Sequence, residues 1–129
     1  MSGPASIGVT LDTGALIALE RRRPRMRAVF EHALALDQRI TIPADVIAEW
    51  WRGRSDVRDA ILACVDVEPL TETLAKIAGE AVGKVRGATL VDAVVMASAA
   101  SRGDVVYTSD VDDLERLRTQ FPAVRVLAV

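Results

Sequence analysis

Four carboxylates occupy positions where a buried or focused charge could do chemistry. Asp12 ends the apolar, β-branched run Gly8-Val9-Thr10-Leu11 and opens the stretch Thr13-Gly14-Ala15-Leu16-Ile17-Ala18-Leu19, which is apolar at helical spacing. A strand that feeds straight into a helix puts this acid at the strand's C-terminal end. Open α/β sheets bind ligands there, because the crossover helices leave a crevice. Aspartate also caps helices, so both readings stand for Asp12 taken alone. Asp110 repeats the arrangement after Val105-Val106-Tyr107-Thr108-Ser109, and parallel strands would bring both acids to one edge of a sheet.

Asp92 is the only charge between Gly87 and Ser101, amid Leu90, Val91, Val94, Val95, Met96 and alanines. A helix apolar nearly all round is a buried helix, and a lone carboxylate there is costly unless paired, protonated or bound to a cation. Its place three residues after Thr89 also fits a capping box. Glu49 sits mid-helix beside Trp50, where pairing with Arg52 or Arg54 would be ordinary. It gains interest because its helix also starts above a strand end, that of Ile40-Thr41-Ile42.

Carboxylates converging without His or Cys repel one another unless a hard cation neutralises them, and oxygen-only sites suit Mg²⁺ or Mn²⁺. Two such ions about 4 Å apart can hydrolyse phosphodiesters, one activating a water and the other stabilising the leaving oxygen. An aspartyl nucleophile of phosphatase type fits less well, since the second acid it wants would stand where Gly14 is. Two other readings remain: a non-catalytic α/β interaction module whose acids are helix caps, and a small phosphatase acting on monoesters.

The elements that must position these acids alternate. Strands are predicted at Arg39-Ile40-Thr41-Ile42-Pro43, at Val65-Asp66-Val67-Glu68-Pro69 (an edge strand, given its charges and proline), at Asp104-Val105-Val106-Tyr107-Thr108 and over 124–129. Pro24 restarts a second helix with Ala28, Val29, Ala33, Leu34 and Leu36 as its apolar face. Asp45 is expected to cap a third helix through Val46, Ile47, Trp50 and Trp51, stopped at Gly53. Further helices are predicted over 56–63, from Thr71 to about 86, from Thr89 to Gly103, and over 112–119 with Asp112 as a cap. This order implies an α/β fold, a mostly parallel central sheet of about five strands flanked by helices on both faces. One domain is expected over 1–129, with residues 1–6 flexible.

With 129 residues, 50% hydrophobic and 26% charged, the chain can bury a substantial core. A net charge of −2 does not announce a nucleic-acid binder, but Lys76 and Lys84 are the only lysines, and arginine's fork suits phosphate. The run Arg21-Arg22-Arg23-Pro24-Arg25-Met26-Arg27 could track RNA, although a solvated turn is the plainer reading. Arg52, Arg54 and Arg58, close after Glu49, are the better phosphate candidates. Trp50 and Trp51 point about 100° apart on a helix, so one is expected in the core and one at a partner surface. A lone cysteine, Cys64, fits a reducing compartment. With no signal-peptide pattern and no apolar run of membrane length, a soluble, cytoplasmic protein is expected.

The segments Leu11-Asp12-Thr13-Gly14-Ala15-Leu16, Val46-Ile47-Ala48-Glu49, Leu90-Val91-Asp92-Ala93-Val94-Val95-Met96-Ala97-Ser98-Ala99 and Tyr107-Thr108-Ser109-Asp110-Val111-Asp112-Asp113-Leu114 together resemble the PIN-domain ribonucleases. Within them the chain is most similar to the toxins of VapBC toxin–antitoxin modules. Each motif is short and degenerate; four in order at these spacings are specific, and they cover almost the whole chain. The resemblance implies a Mg²⁺-dependent endoribonuclease (Mn²⁺ as a substitute) that cuts RNA and is neutralised by a cognate antitoxin. It makes Asp12, Glu49, Asp92 and Asp110 the catalytic, metal-binding acids, with Thr13 and Ser109 as supporting hydroxyls and Asp113 a weaker carry-over. It also implies a homodimer, with Val46, Trp50 or Trp51 as candidates for its surface.

Overall fold

The computed structural model describes residues 7–129; the expected flexibility of residues 1–6 lies outside them. The β-branched runs form five short strands, β1 (Val9–Leu11), β2 (Ile40–Pro43), β3 (Asp66–Glu68), β4 (Val105–Thr108) and β5 (Arg125–Ala128). They make one sheet in the order β3-β2-β1-β4-β5, with every pairing parallel. Between them run α1 (Thr13–Glu20), α2 (Pro24–Ala35), α3 (Ala44–Trp50), α4 (Asp56–Leu62), α5 (Glu72–Lys84), α6 (Leu90–Arg102) and α7 (Val111–Arg116), the last followed by a 3₁₀ turn, Leu117–Thr119.

Every residue of β1 and β2 is buried, as a parallel sheet covered on both faces requires. The chain builds outward from β1 through β2 to β3, then returns to lay β4 on β1's other side. With right-handed crossovers, that reversal sends the helices before and after it to opposite faces. It also opens a crevice between the C-terminal ends of β1 and β4. The register sets Leu11 beside Tyr107, so Asp12 and Asp110 both leave the sheet at that crevice. β3 is an edge strand, as its alternating charges indicated.

The central helix α6 is buried without a break from Ala93 to Ala99. Its last turn carries Arg102, which donates to Asp104 (3.0 Å), Thr10 (2.9 Å) and Ser98 (2.9 Å) and pairs with Glu68. Thr10 also donates to Asp104 at 2.8 Å. One guanidinium thus ties α6 to three strands or their ends.

Five local expectations are corrected. Asp45 is not the cap of α3: the helix starts at Ala44, Pro43 holds the N-cap position, and Asp45 lies in the first turn with Oδ1 accepting from the Val46 amide at 3.1 Å. That helix ends at Trp50, before Gly53. Asp112 likewise sits inside the first turn of α7, where Asp110 holds the N-cap position. Leu34 and Leu36 are exposed, and α2 meets the core through Met26, Phe30 and Ala33. Val46 and Trp50, proposed for a dimer surface, are fully enclosed in the core, leaving only Trp51 half-exposed.

Candidate active site

Asp12 does two things at once. Its Oδ1 accepts from the Ala15 amide at 2.8 Å, capping α1, and that bond fixes the carboxylate over the end of β1. It is almost enclosed, at 7% exposure. Burial drives its carboxyl above the ordinary 3.8; hydrogen bonds from Thr108 and the Ala15 amide pull it back, and the charges of Asp92 and Asp110 push it up again. The cap reading and the site reading are therefore compatible here.

Asp92 lies at the third position of α6. Only half of a capping box forms: the Thr89 hydroxyl accepts from the Asp92 amide at 3.2 Å, while the Asp92 carboxylate makes no return bond to a backbone amide among those of the described residues. It points into the acid cluster instead. Burial raises its pKa, Thr89 opposes this, and Asp113, Glu49 and Asp110 raise it further.

Glu49 is exposed at the mouth of the crevice and accepts from the Thr13 hydroxyl at 2.6 Å, which joins α3 to α1. Asp110 holds the N-cap position of α7 without a capping bond from its side chain, so its carboxylate is left free of the helix end. Asp113, one turn into α7, is held above its usual value first by a hydrogen bond and charge from Asp110. Among the described residues, Arg116 is the only basic side chain ion-paired with any of these five acids, 3.7 Å from Asp113.

The structure thus brings Asp12, Glu49, Asp92 and Asp110 to the C-terminal edge of the sheet, where Asp12 feels the charges of Asp92 and Asp110, and Asp92 feels those of Glu49, Asp110 and the added Asp113. Ser109 packs against α1: a Cβ placed on Gly14 would stand 2.0 Å from its Oγ. Among the described residues no three His, Cys, Asp or Glu side chains are drawn together into a ready metal cage. The donor chemistry still fits a hard cation, because Mg²⁺ keeps most of its waters and takes one or two carboxylates directly. The raised carboxyls mark charge that such an ion would neutralise.

Two features lay beyond the sequence. Thr108, buried at the end of β4, accepts from the Asp110 amide at 2.8 Å, and its hydroxyl works against the rise that burial imposes on the Asp12 carboxyl; only its inward place in an alternating strand points to this. Asp45 stands one turn before Glu49 and is raised by burial and by Glu49's charge, with its Oδ2 buried and unpartnered among the described residues. The preferred phosphate arginines are otherwise engaged. Arg54 pairs with Asp59 at 3.1 Å, Arg58 pairs with Glu20 at 2.5 Å, and Arg52 donates to the Trp51 carbonyl at 2.7 Å. Trp50 is core, and Trp51 meets it edge to face with ring centroids 6.1 Å apart.

The family model of the PIN domain matches residues 9–119. No curated protein matches by sequence. Among solved structures, DNA-bound VapBC from Salmonella typhimurium superposes with a TM-score of 0.75 at 20% identity, over 95% of this chain and 98% of that one. VapBC2 from Rickettsia felis, bound to a promoter DNA fragment, gives 0.73 at 14% identity, over 95% and 99%. VapBC-1 from nontypeable Haemophilus influenzae gives 0.70 at 17%, over 95% and 98%. At these identities the likeness is one of fold.

Proposed function

The chain belongs to the PIN domain family, and on that premise we propose that it is a Mg²⁺-dependent endoribonuclease, a toxin of the VapC kind held inactive by a cognate antitoxin. The observation that carries this reading is the convergence of Asp12, Glu49, Asp92 and Asp110 at the point where the sheet reverses, with burial first and neighbouring acid charge second raising the carboxyls of Asp12 and Asp92. A divalent cation bound there would polarise the scissile phosphate and lower the pKa of an attacking water.

The chain's own part is placement. The Ala15 amide fixes Asp12; Thr13 fixes Glu49; the Thr108 hydroxyl accepts from the Asp110 amide at 2.8 Å; the N-terminal turn of α6 presents Asp92. Asp110 and Asp113 stand at the start of α7 beside the other acids, and the charge of Asp110 helps to hold the Asp113 carboxyl above its usual value. None of these acids needs to act as a nucleophile. Mn²⁺ should replace Mg²⁺, since the all-oxygen donor set suits both.

The structural relatives are VapBC assemblies, and a cognate antitoxin is the partner this reading gives to the chain. A groove of about 580 Å³ between α1, α2 and α4, floored by Leu19, Phe30, Leu34, Val57 and Ile61, suits the apolar face of an amphipathic helix. No helix among the described residues is long and apolar enough to cross a membrane, in keeping with a cytoplasmic role. A homodimer belongs to the same reading; exposed Leu70 and Ile77 offer apolar surface for it.

The test is cleavage of a fluorophore–quencher RNA by the purified chain, in Mg²⁺ and in EDTA, with and without the protein encoded beside it. Cleavage that needs the ion and stops with the partner supports the reading. The rival, a non-catalytic module whose acids are caps, draws on the Asp12–Ala15 bond and predicts no cleavage and no metal effect.

A further inference from the structure

The turn between α1 and α2 is a ridge with a different surface on each side. Arg22 and Arg27 line the apolar groove between α1, α2 and α4. Arg21 and Arg23 line a separate pocket of about 420 Å³ together with Ile17, Ala18, Gly14 and Ser109. Gly14 and Ser109 belong to the two turns that carry Asp12 and Asp110, so this second pocket adjoins the acid crevice.

The backbone explains the division. Arg22 has φ 56°, in the left-handed region, and occupies the position after the helix end where glycine is usual. The Arg23 amide reaches back to Ala18 at 2.9 Å and the Arg22 amide to Leu19 at 3.0 Å, the paired bonds that close a helix in this way. The reversal at Arg22 turns its side chain to one side of the ridge and leaves its two neighbours on the other.

We propose that Arg21 and Arg23 hold backbone phosphates of the RNA strand next to the phosphate being cut, so that the strand leaves the acids over the α1–α2 turn. This rests on the ribonuclease reading above and adds to it the path of the substrate. A polyanion approaching five carboxylates is repelled unless positive charge stands beside them, and a bound cation offsets only part of that charge. Both arginines are exposed and make no ion pair or side-chain hydrogen bond among the described residues, whereas Arg54 and Arg58, nearer Glu49 in sequence, are bound to acids. Planar guanidinium forks suit phosphate oxygens, and the pocket places them against the very turns that hold the site. An acidic segment of a protein partner could use the same charge, but the groove suited to a helix lies across the ridge.

The experiment measures binding of a short fluorescein-labelled single-stranded RNA by anisotropy over a range of salt. It uses Mg²⁺ buffer and the Asp92→Asn chain as a common background, so that the strand stays whole. In Arg21→Gln/Arg23→Gln the slope of log affinity against log salt should fall by about 0.7 for each phosphate that is no longer neutralised. Arg21→Lys/Arg23→Lys should keep the slope, and Arg39→Gln, at the opposite edge of the sheet, should also keep it. An unchanged slope in the double Gln variant, with RNA still bound, overturns the proposal alone. An unchanged slope together with failure to bind the antitoxin assigns the arginines to the partner and overturns it too. No RNA binding by the background chain, or cleavage by it, overturns the ribonuclease site itself.

Discussion

Gly14→Ala should separate the site from the fold. Gly14 is the second residue of α1, and an added Cβ would stand 2.0 Å from Ser109 Oγ, 3.1 Å from Ser109 Cβ and 3.5 Å from Ser109 N. The hydroxyl can swing away at a cost of about 0.5–1.5 kcal/mol if it leaves a staggered well. Alanine is favoured over glycine in a helix by up to about 1 kcal/mol, so the two effects nearly cancel and the melting temperature should stay within a few degrees. The Ser109 Cβ cannot rotate out of the way, so the backbone beside Asp110 must give by a few tenths of an ångström. A misplacement of about 1 Å can lower a rate by about 100-fold, and the smaller shift here should lower RNA cleavage by about 10-fold. Thermal melting and a cleavage time course on the same preparation check this. Full activity in a folded variant would refute the idea that Ser109 and Asp110 are held in place by α1; wholesale unfolding would refute the stability balance.

Two further outcomes bear on the charges. Asp12 and Asp92 sit above 3.8 in the fold, so they favour the metal-free fold most at acid pH, and that support is lost as pH rises through their raised values. Asp92→Asn, which cannot ionise, should therefore raise the melting temperature of the EDTA-treated chain near neutral pH, lose that advantage in acid and abolish cleavage; a lower melting temperature at neutral pH would contradict the repulsion. Arg102→Met should destabilise by about 3–5 kcal/mol in urea unfolding, because it leaves Asp104, whose side chain is 3% exposed, charged and without its cation; a loss under about 1 kcal/mol would show the network contributes little.

Much of the site was legible because its acids sit where period and punctuation change. Strand-like runs end at Asp12 and Asp110, and Asp92 breaks an apolar helix, so residue order alone carried them to one edge of a parallel sheet. What could not be read was pairwise geometry. Asp12 caps α1 through one oxygen, which accepts from the Ala15 amide, and still feels the charges of Asp92 and Asp110, so the cap does not remove it from the acid cluster. Asp45 reads as a cap because aspartates often are, but the helix starts two residues sooner than that reading requires, at Ala44, and Asp45 lies in the first turn, one turn from Glu49. Nearness in sequence to Glu49 favours Arg54 and Arg58 as phosphate ligands, yet Asp59 and the distant Glu20 pair with them in the fold. Val46 and Trp50 are surface candidates only through the homodimer that the resemblance implies; α1 and α6, packed against α3, enclose them.

The central claim is that Asp12, Glu49, Asp92 and Asp110 share a divalent cation that RNA cleavage needs. Its most direct test is a Mn²⁺ titration followed by electron paramagnetic resonance, with RNA cleavage read on the same samples. Bound Mn²⁺ and cleavage should rise together in the wild type. Asp12→Asn, Glu49→Gln, Asp92→Asn and Asp110→Asn should each weaken the bound signal and stop cleavage while the chain stays folded. Mn²⁺ bound equally well by all four variants, or cleavage that persists in EDTA, would contradict the account.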